Sequence, residues 1–216
     1  MKQIRFPKWG FGLALCVALP AFAADTIHFE SRPGSKVKVE GSSTVHDWAV
    51  ESLAIKGFMD VPADFAKDPA AAAKNIKAEV TIPVRSLKSD KSAMNNIMWE
   101  AMKMKEHPNI EYKLLELTPK SGGTQGGNSA QFEAKGQLTV SGVTRTNVMP
   151  VTIEKVDDTK AKVTGTTGVK MTDFGIKPPA PTVGLGFIKT YDDVKLTVQW
   201  LTEQAPAAAK TADAAK

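Results

Sequence analysis

SLKSDKSAMNNIMWEAMKMKEHPNIEYKLLEL, residues 86 to 117, is where the chain changes its period. Before the change, Ile76, Ala78, Val80, Ile82 and Val84 fall at every second position, and after it Ile110, Tyr112 and Leu114 do the same, the mark of half-buried strands. Between them Met94, Ile97, Met98, Ala101, Met102 and Lys105 step by three or four, which places the apolar ones on one stripe of a helix. Asp90 is placed to cap the N-terminus or to favour its dipole, and Lys103 and Lys105 suit the negative C-terminal end. Pro108, with the restriction it puts on His107, is expected to stop the helix. The spacing therefore predicts one helix of about four turns inserted into an otherwise all-β chain. Such a helix must cover something apolar, either a core or the opening of a ligand site.

The N-terminus reads as a separate segment. Lys2, Arg5 and Lys8 precede the apolar run Phe11 to Leu19, and Ala21-Phe22-Ala23 is a small-x-small cleavage site. This is the pattern of a secretory signal peptide over residues 1–23, too short and wrongly flanked for a membrane span. Leu15 before Cys16 is too large for a lipobox, so a soluble periplasmic protein is expected, cut after Ala23. Removing the segment takes away three basic residues and no acids, and the net charge falls from +5 to +2. That weak balance argues against a nucleic-acid partner. Cys16 is the only cysteine, so the mature chain has no disulfide or thiolate metal site and must be held by packing. Residues 24–204 form one domain, and the Ala-rich stretch 205–216 lacks the apolar residues to pack and is expected to be disordered.

Read in order, Asp25 to Ser31 is a lead-in and Val37 and Val39 begin the first strand. A second runs from Ala49 to Met59 with Leu53, Ile55 and Gly57 on one face. Pro62 to Ala73 is a loop, and the strand from Ile76 to Val84 leads into the helix. After it come strands through Ile110 to Leu117, Phe132 to Val140, Met149 to Ile153, Val163 to Met171 and Val194 to Trp200. Lys120 to Ala130 is a Gly-rich hairpin tip, without the strand-loop-helix context of a phosphate loop. Ser141 to Thr144 is a tight turn in which Gly142 can take positive φ. Thr172 to Thr190, with its prolines and glycines, is an irregular crossing. About eight long antiparallel strands favour an all-β, lipocalin-like, eight-stranded barrel with one inserted α-helix, wide enough for one elongated ligand; a sandwich is the runner-up.

The order of motifs resembles the YceI-like family of exported lipid-binding proteins. The resemblance rests on Ser35-Lys36-Val37 leading to Gly41-Ser42-Ser43-Thr44-Val45-His46-Asp47-Trp48, and on the strand Ile76 to Val84 running into Ser86-Leu87. It continues with the helix followed by His107-Pro108-Asn109-Ile110, with Gly136 to Thr144, and with Met171-Thr172-Asp173-Phe174-Gly175-Ile176. It spans roughly Ser35 to Leu201. The resemblance implies a barrel whose lumen holds a polyisoprenoid or similar lipid chain. The Met-rich helix and the GSSTVHDW opening depart from the commoner family pattern, which bears on ligand identity more than on fold.

Several residues carry competing readings. His46-Asp47 beside Ser42 and Ser43 invites a hydrolase, but adjacent residues on a strand point to opposite faces and cannot form a base-carboxylate pair. The pocket-lining candidates are Trp48, Phe58, Met94, Met98, Trp99, Met102, Leu138, Phe174 and Phe187, with Trp200 as a further aromatic. Ala78, Gly136 and Gly165 are expected to leave space that Val80, Leu138 and Val163 line. The rival for the methionines is a soft-donor Cu(I) site from Met94, Met98, Met102 and Met104 with His107. The expectation is a non-enzymatic carrier, without a cofactor other than the bound lipid. A copper-binding protein and a filled-barrel adaptor are the alternatives, and a homodimer is left open.

Overall fold

A computed structural model describes residues 26–65, 73–120, 128–180 and 188–206. The strand segments are β1 (Thr26–Ser31), β2 (Lys36–Ser43), β3 (Asp47–Ser52), β4 (Lys56–Pro62), β5 (Lys77–Pro83), β6 (Asn109–Pro119), β7 (Ser129–Val140), β8 (Val143–Lys155), β9 (Lys160–Lys170) and β10 (Thr190–Gln204), with the helix α1 (Ser92–Ala101) between β5 and β6. Each pairs antiparallel with its neighbours. β1 joins β4, the order runs on from β5 to β10, and β10 returns to β1, which closes the ring.

Ten segments make eight staves. β10 pairs with β1 at one end, Ser31 opposite Thr202, and with β2 further along, Lys36 opposite Gln199. β1 and β2 are thus one wall strand kinked at residues 32–35. Ser35 stitches the kink: its hydroxyl donates to the Arg32 and Leu201 carbonyls at 2.9 and 3.2 Å and accepts the Leu201 N–H at 3.0 Å. β3 pairs with β2 as β4 pairs with β1, so these two form a second stave, broken at residues 53–55. The expected unbroken strand Ala49 to Met59 is corrected here: Leu53 is 70% exposed while Ile55 is 5% exposed. The lead-in is corrected too, because Phe29 pairs with Gln204 on one side and Met59 on the other. At the far end Ala205 still donates its N–H to the His28 carbonyl at 2.9 Å. Residues 1–25, 121–127 and 207–216, which hold the signal segment, most of the Gly-rich tip and most of the tail, lie outside the described residues.

The helix is shorter than its period implied and ends by another device. Lys91 occupies the N-cap with no side-chain cap, so Asp90 does not play that part. Lys103 takes a left-handed conformation, φ 51°. Its N–H donates to Glu100 O at 2.9 Å and the Met104 N–H to Trp99 O at 3.0 Å, the paired bonds of a Schellman end. Pro108 lies well beyond. The Ser141 hydroxyl donates to the Met102 carbonyl at 2.9 Å and ties the helix end to the β7–β8 turn. That turn has Ser141 at φ 51° and Gly142 at φ 77°, the two positive angles of a type I′ hairpin. A Cβ on Gly142 would press on the His107 ring.

The two ends of the barrel differ. At the end away from α1, Phe65 stacks on fully buried Phe132 with centroids 5.9 Å apart. At the α1 end the wall opens. The β8–β9 ladder stops at Val151–Gly165 although both strands continue, and Pro150, with no N–H to give, stands at that point. A 3-10 turn, Thr172–Phe174, packs against both strands, and Arg145 Nε donates to the Asp173 carbonyl at 2.9 Å.

A cavity lined by methionines and closed by the helix

Inside the ring lies a cavity of about 490 Å³. The inward face of β7 shows how the wall is built: Phe132, Ala134, Gly136, Leu138 and Val140 are buried and alternate with exposed or half-exposed polar residues. Ala134, Leu138 and Val140 reach the cavity, Val37 and Val39 face it from β2, and Ala78, Val80 and Ile82 from β5. The α1 stripe of Met94, Ile97, Met98, Ala101 and Met102 covers its upper side. The opposite side of α1 is anchored outside: the Asn95 carboxamide accepts the Ser89 N–H at 2.7 Å and the Ser89 hydroxyl at 2.9 Å, and donates to Ser89 O at 3.1 Å.

Of the residues selected from sequence, Trp48, Met94, Met98, Met102, Leu138 and Phe174 line this cavity, and Trp200 joins them. Phe58 does not. It points outward from β4 and stacks on His28, centroids 5.5 Å apart. Trp99 does not either: its Nε1 donates to Leu87 O at 3.0 Å and the Arg85 guanidinium sits 5.5 Å from its ring centroid. Phe187 lies outside the described residues. Met104 and His107 fall past the helix end and do not line the cavity. Met59, Met149 and Met171 do, so six of the chain's eight methionines face the lumen, spread over β4, α1, β8 and the end of β9. The expected gaps at two glycines are occupied. A Cβ on Gly136 would collide with the Tyr112 ring, and one on Gly165 would meet Val151 Cγ1 at 2.9 Å and Met149 Sδ at 3.0 Å.

Polar groups gather at the α1 end, where Ser43, His46, Lys91, Lys170 and Thr190 rim the opening. Lys170 is held by Asp193 at 2.9 Å, which raises its pKa. The Ser43 hydroxyl is committed to its own turn: it donates to His46 O at 2.8 Å and accepts the Val45 and His46 N–H groups at 3.3 and 3.2 Å. His46 and Asp47 are exposed, with no hydrogen bond between them. Deeper in, sequence reasoning passed over Tyr112 and Asn147, whose inward parity on β6 and β8 was the available signal. Burial pushes the Tyr112 hydroxyl up to about 12. Among the described residues no cluster of three or more His, Cys, Asp or Glu could hold a metal, and no helix is long and apolar enough to cross a membrane.

This architecture recurs in solved structures. Burkholderia cenocepacia BcnA superposes with a TM-score of 0.61 at 19% identity, over 77% of this chain and 95% of that one. A polyisoprenoid binding domain from Saccharophagus degradans, implicated in plant cell wall breakdown, gives 0.64 at 12% identity over 84% and 100%. The Campylobacter jejuni YCEI protein gives 0.50 at 17% identity over 95% and 100%. At these identities the likeness speaks for the fold. None of the curated proteins matches the chain significantly in sequence. The family model for the YceI-like domain, however, matches residues 24–200 in one piece, from before the first stave to the inward Trp200 of the last, and the chain belongs to that family.

Proposed function

We propose that the protein is exported after removal of residues 1–23 and binds a lipid with a long apolar chain in the barrel lumen, as a carrier or sequestering protein without chemistry of its own. One observation carries this reading: an interior cavity of about 490 Å³, within the range of small-molecule sites, walled by aliphatic side chains and six thioethers. Methionine is unbranched and polarisable, so such a wall adapts to a flexible chain rather than to one rigid shape. Each buried methylene contributes about 0.8 kcal/mol, so some twenty carbons supply about 16 kcal/mol, enough to offset an association cost of about 4–15 kcal/mol. The polyisoprenoid binding domain from Saccharophagus degradans shares the fold and supports an isoprenoid chain as the first candidate.

The test is native mass spectrometry of protein purified from its own exported fraction, before and after lipid extraction. The expected result is an added mass that extraction removes and that resolves into one class of long-chain lipid. Protein that carries no such mass, and that binds no prenyl or acyl chain after depletion, refutes the reading.

A further inference from the structure

Tyr112 stands on the inward face of β6 between Ile110 and Leu114. Its phenol lies flat over Gly136 of β7, where any Cβ would strike the ring and the hydroxyl. That hydroxyl is the one buried side-chain polar atom among the described residues with no hydrogen-bond partner. With its pKa pushed up to about 12, it stays a protonated donor throughout the physiological range. Leaving such a group unpaired in a dry interior is costly, and folds keep one where something else completes it.

Gly136 pairs across the ladder with Asn147 of β8. Opposed Cβ positions are about 5 Å apart, so the Asn147 carboxamide and the Tyr112 hydroxyl occupy adjoining space. Asn147 lines the same cavity and also borders a smaller cleft beside Arg145 and Asp173, and its side chain makes no hydrogen bond among the described residues. Around the pair the inward residues are Val80, Leu114, Leu138 and Met149, all apolar. The nearest cation along the strand, Arg145, is turned to the Asp173 and Thr144 carbonyls. The lining lysines, Lys91 and Lys170, belong to the rim. Two neutral hydrogen-bonding groups therefore border one stretch of the lumen, one a donor and the other both donor and acceptor.

We propose that Tyr112 and Asn147 form a binding site, within the lumen, for a neutral oxygen of the lipid, a hydroxyl or a carbonyl. This rests on the lipid-carrier reading and narrows it: the preferred ligand is a long chain that carries a neutral oxygen into the barrel, in preference to a bare hydrocarbon. The hydroxyl lies against the Gly136 backbone. A small turn of the ring toward the cavity brings it to the ligand oxygen, while Asn147 takes or gives the second hydrogen bond.

The experiment is fluorescent-lipid displacement on lipid-depleted protein with three probes sharing one C20 isoprenoid skeleton: phytane, phytol and phytyl phosphate. Phytol is expected to bind about five- to tenfold more tightly than phytane, the worth of a buried hydrogen bond, and phytyl phosphate no more tightly than phytol. In Tyr112→Phe, and separately in Asn147→Leu, the phytol-to-phytane preference should fall toward unity. This ratio is taken within each protein, so a general change in affinity does not imitate it. Thermal unfolding of Tyr112→Phe at or above the wild-type midpoint would show that the variant is folded. Equal binding of phytane and phytol by the wild type, or a preference that survives both substitutions, overturns the inference and leaves the carrier reading standing. A phosphate preference also overturns it and moves recognition to the rim. Failure of all three probes to bind the wild type overturns the carrier reading and this inference with it.

Discussion

Replacing Ala134 with tryptophan tests whether the lumen is hollow where the strands say it is. Ala134 is buried on the inward face of β7, opposite Leu117 and Met149, and borders the cavity. An indole buries about 150–250 Å² of surface, which at 25 cal/mol per Å² stabilises by about 4–6 kcal/mol when there is room for it. Displacing Leu117 and Met149 sets against this an overpacking cost of about 1–3 kcal/mol. In a hollow barrel the burial outweighs the overpacking, and the midpoint of denaturant unfolding should hold or rise. The lipid loses the same space. Three displaced methylenes cost about 2.4 kcal/mol, close to a sixtyfold loss of affinity. Urea unfolding and fluorescent-lipid displacement, measured on one preparation of depleted protein, read both quantities. Destabilisation beyond about 4 kcal/mol would falsify the hollow lumen, since it would place the indole in a core already packed. Unchanged affinity would instead mean that the chain does not pass Ala134.

Exchanging Met94, Met98 and Met102 together for leucine should leave fold and lipid binding in place, at under about 1.5 kcal/mol per site, while abolishing a metal site built on the helix thioethers. Cu(I) competition beside lipid displacement decides this, and tight copper binding lost in the variant with no lipid displacement in either protein would install the rival. Met98→Asp should cut lipid retention sharply, because it places an unpaired carboxylate against the cavity. Lys103→Gly should raise stability, by about 1 kcal/mol, since Lys103 holds φ 51° where glycine is unstrained; an unfolding midpoint that drops would mean its side chain makes contacts worth more than the strain. Protein recovered from the exported fraction should begin at Ala24 by intact mass, and soluble material retaining Met1 would contradict the cleavage.

Periodicity made most of the wall legible, and the misplacements came where it was overruled or where distant residues intervene. Phe58 has the opposite parity to Ile55 and Met59, and Trp99 sits off the Met94, Met98 and Met102 stripe. Both are bulky aromatics, and in each case the period, not the bulk, decides the facing. The break at residues 53–55 left no mark in an alternation that runs straight through it. It is set across the molecule, where the Ser52 and Ser86 hydroxyls meet at 2.6 Å and Glu51 pairs with Lys88. The helix end was hidden for a related reason: its left-handed residue is Lys103, where a glycine would have announced it. Tyr112 read as an ordinary strand aromatic because its significance lies in Gly136, a neighbour made only by the β6–β7 pairing.

The size of the cavity itself bears on function. If each Å³ of sealed void cost about 24 cal/mol, as for buried cavities left by truncated side chains, 490 Å³ would cost about 12 kcal/mol. That is comparable to the whole stability of an ordinary domain, about 5–15 kcal/mol. A packing defect of that size does not survive in a chain without disulfides in its barrel. The cavity therefore has to be relieved, by an opening or by an occupant, and the architecture separates the two needs. Eight ladders hydrogen-bonded into a ring hold the wall without help from the lumen, and Phe65 on Phe132 supplies packing at the far end. The near end is where packing is given up: the β8–β9 ladder stops early, a 3-10 turn packs against the unpaired strands, and α1 turns flexible thioethers inward instead of aromatic rings. A filled-barrel adaptor has no use for that arrangement, since aliphatic residues at Met94, Met98 and Met102 would close the core more firmly. The proposed carrier, which has to admit a flexible chain, does.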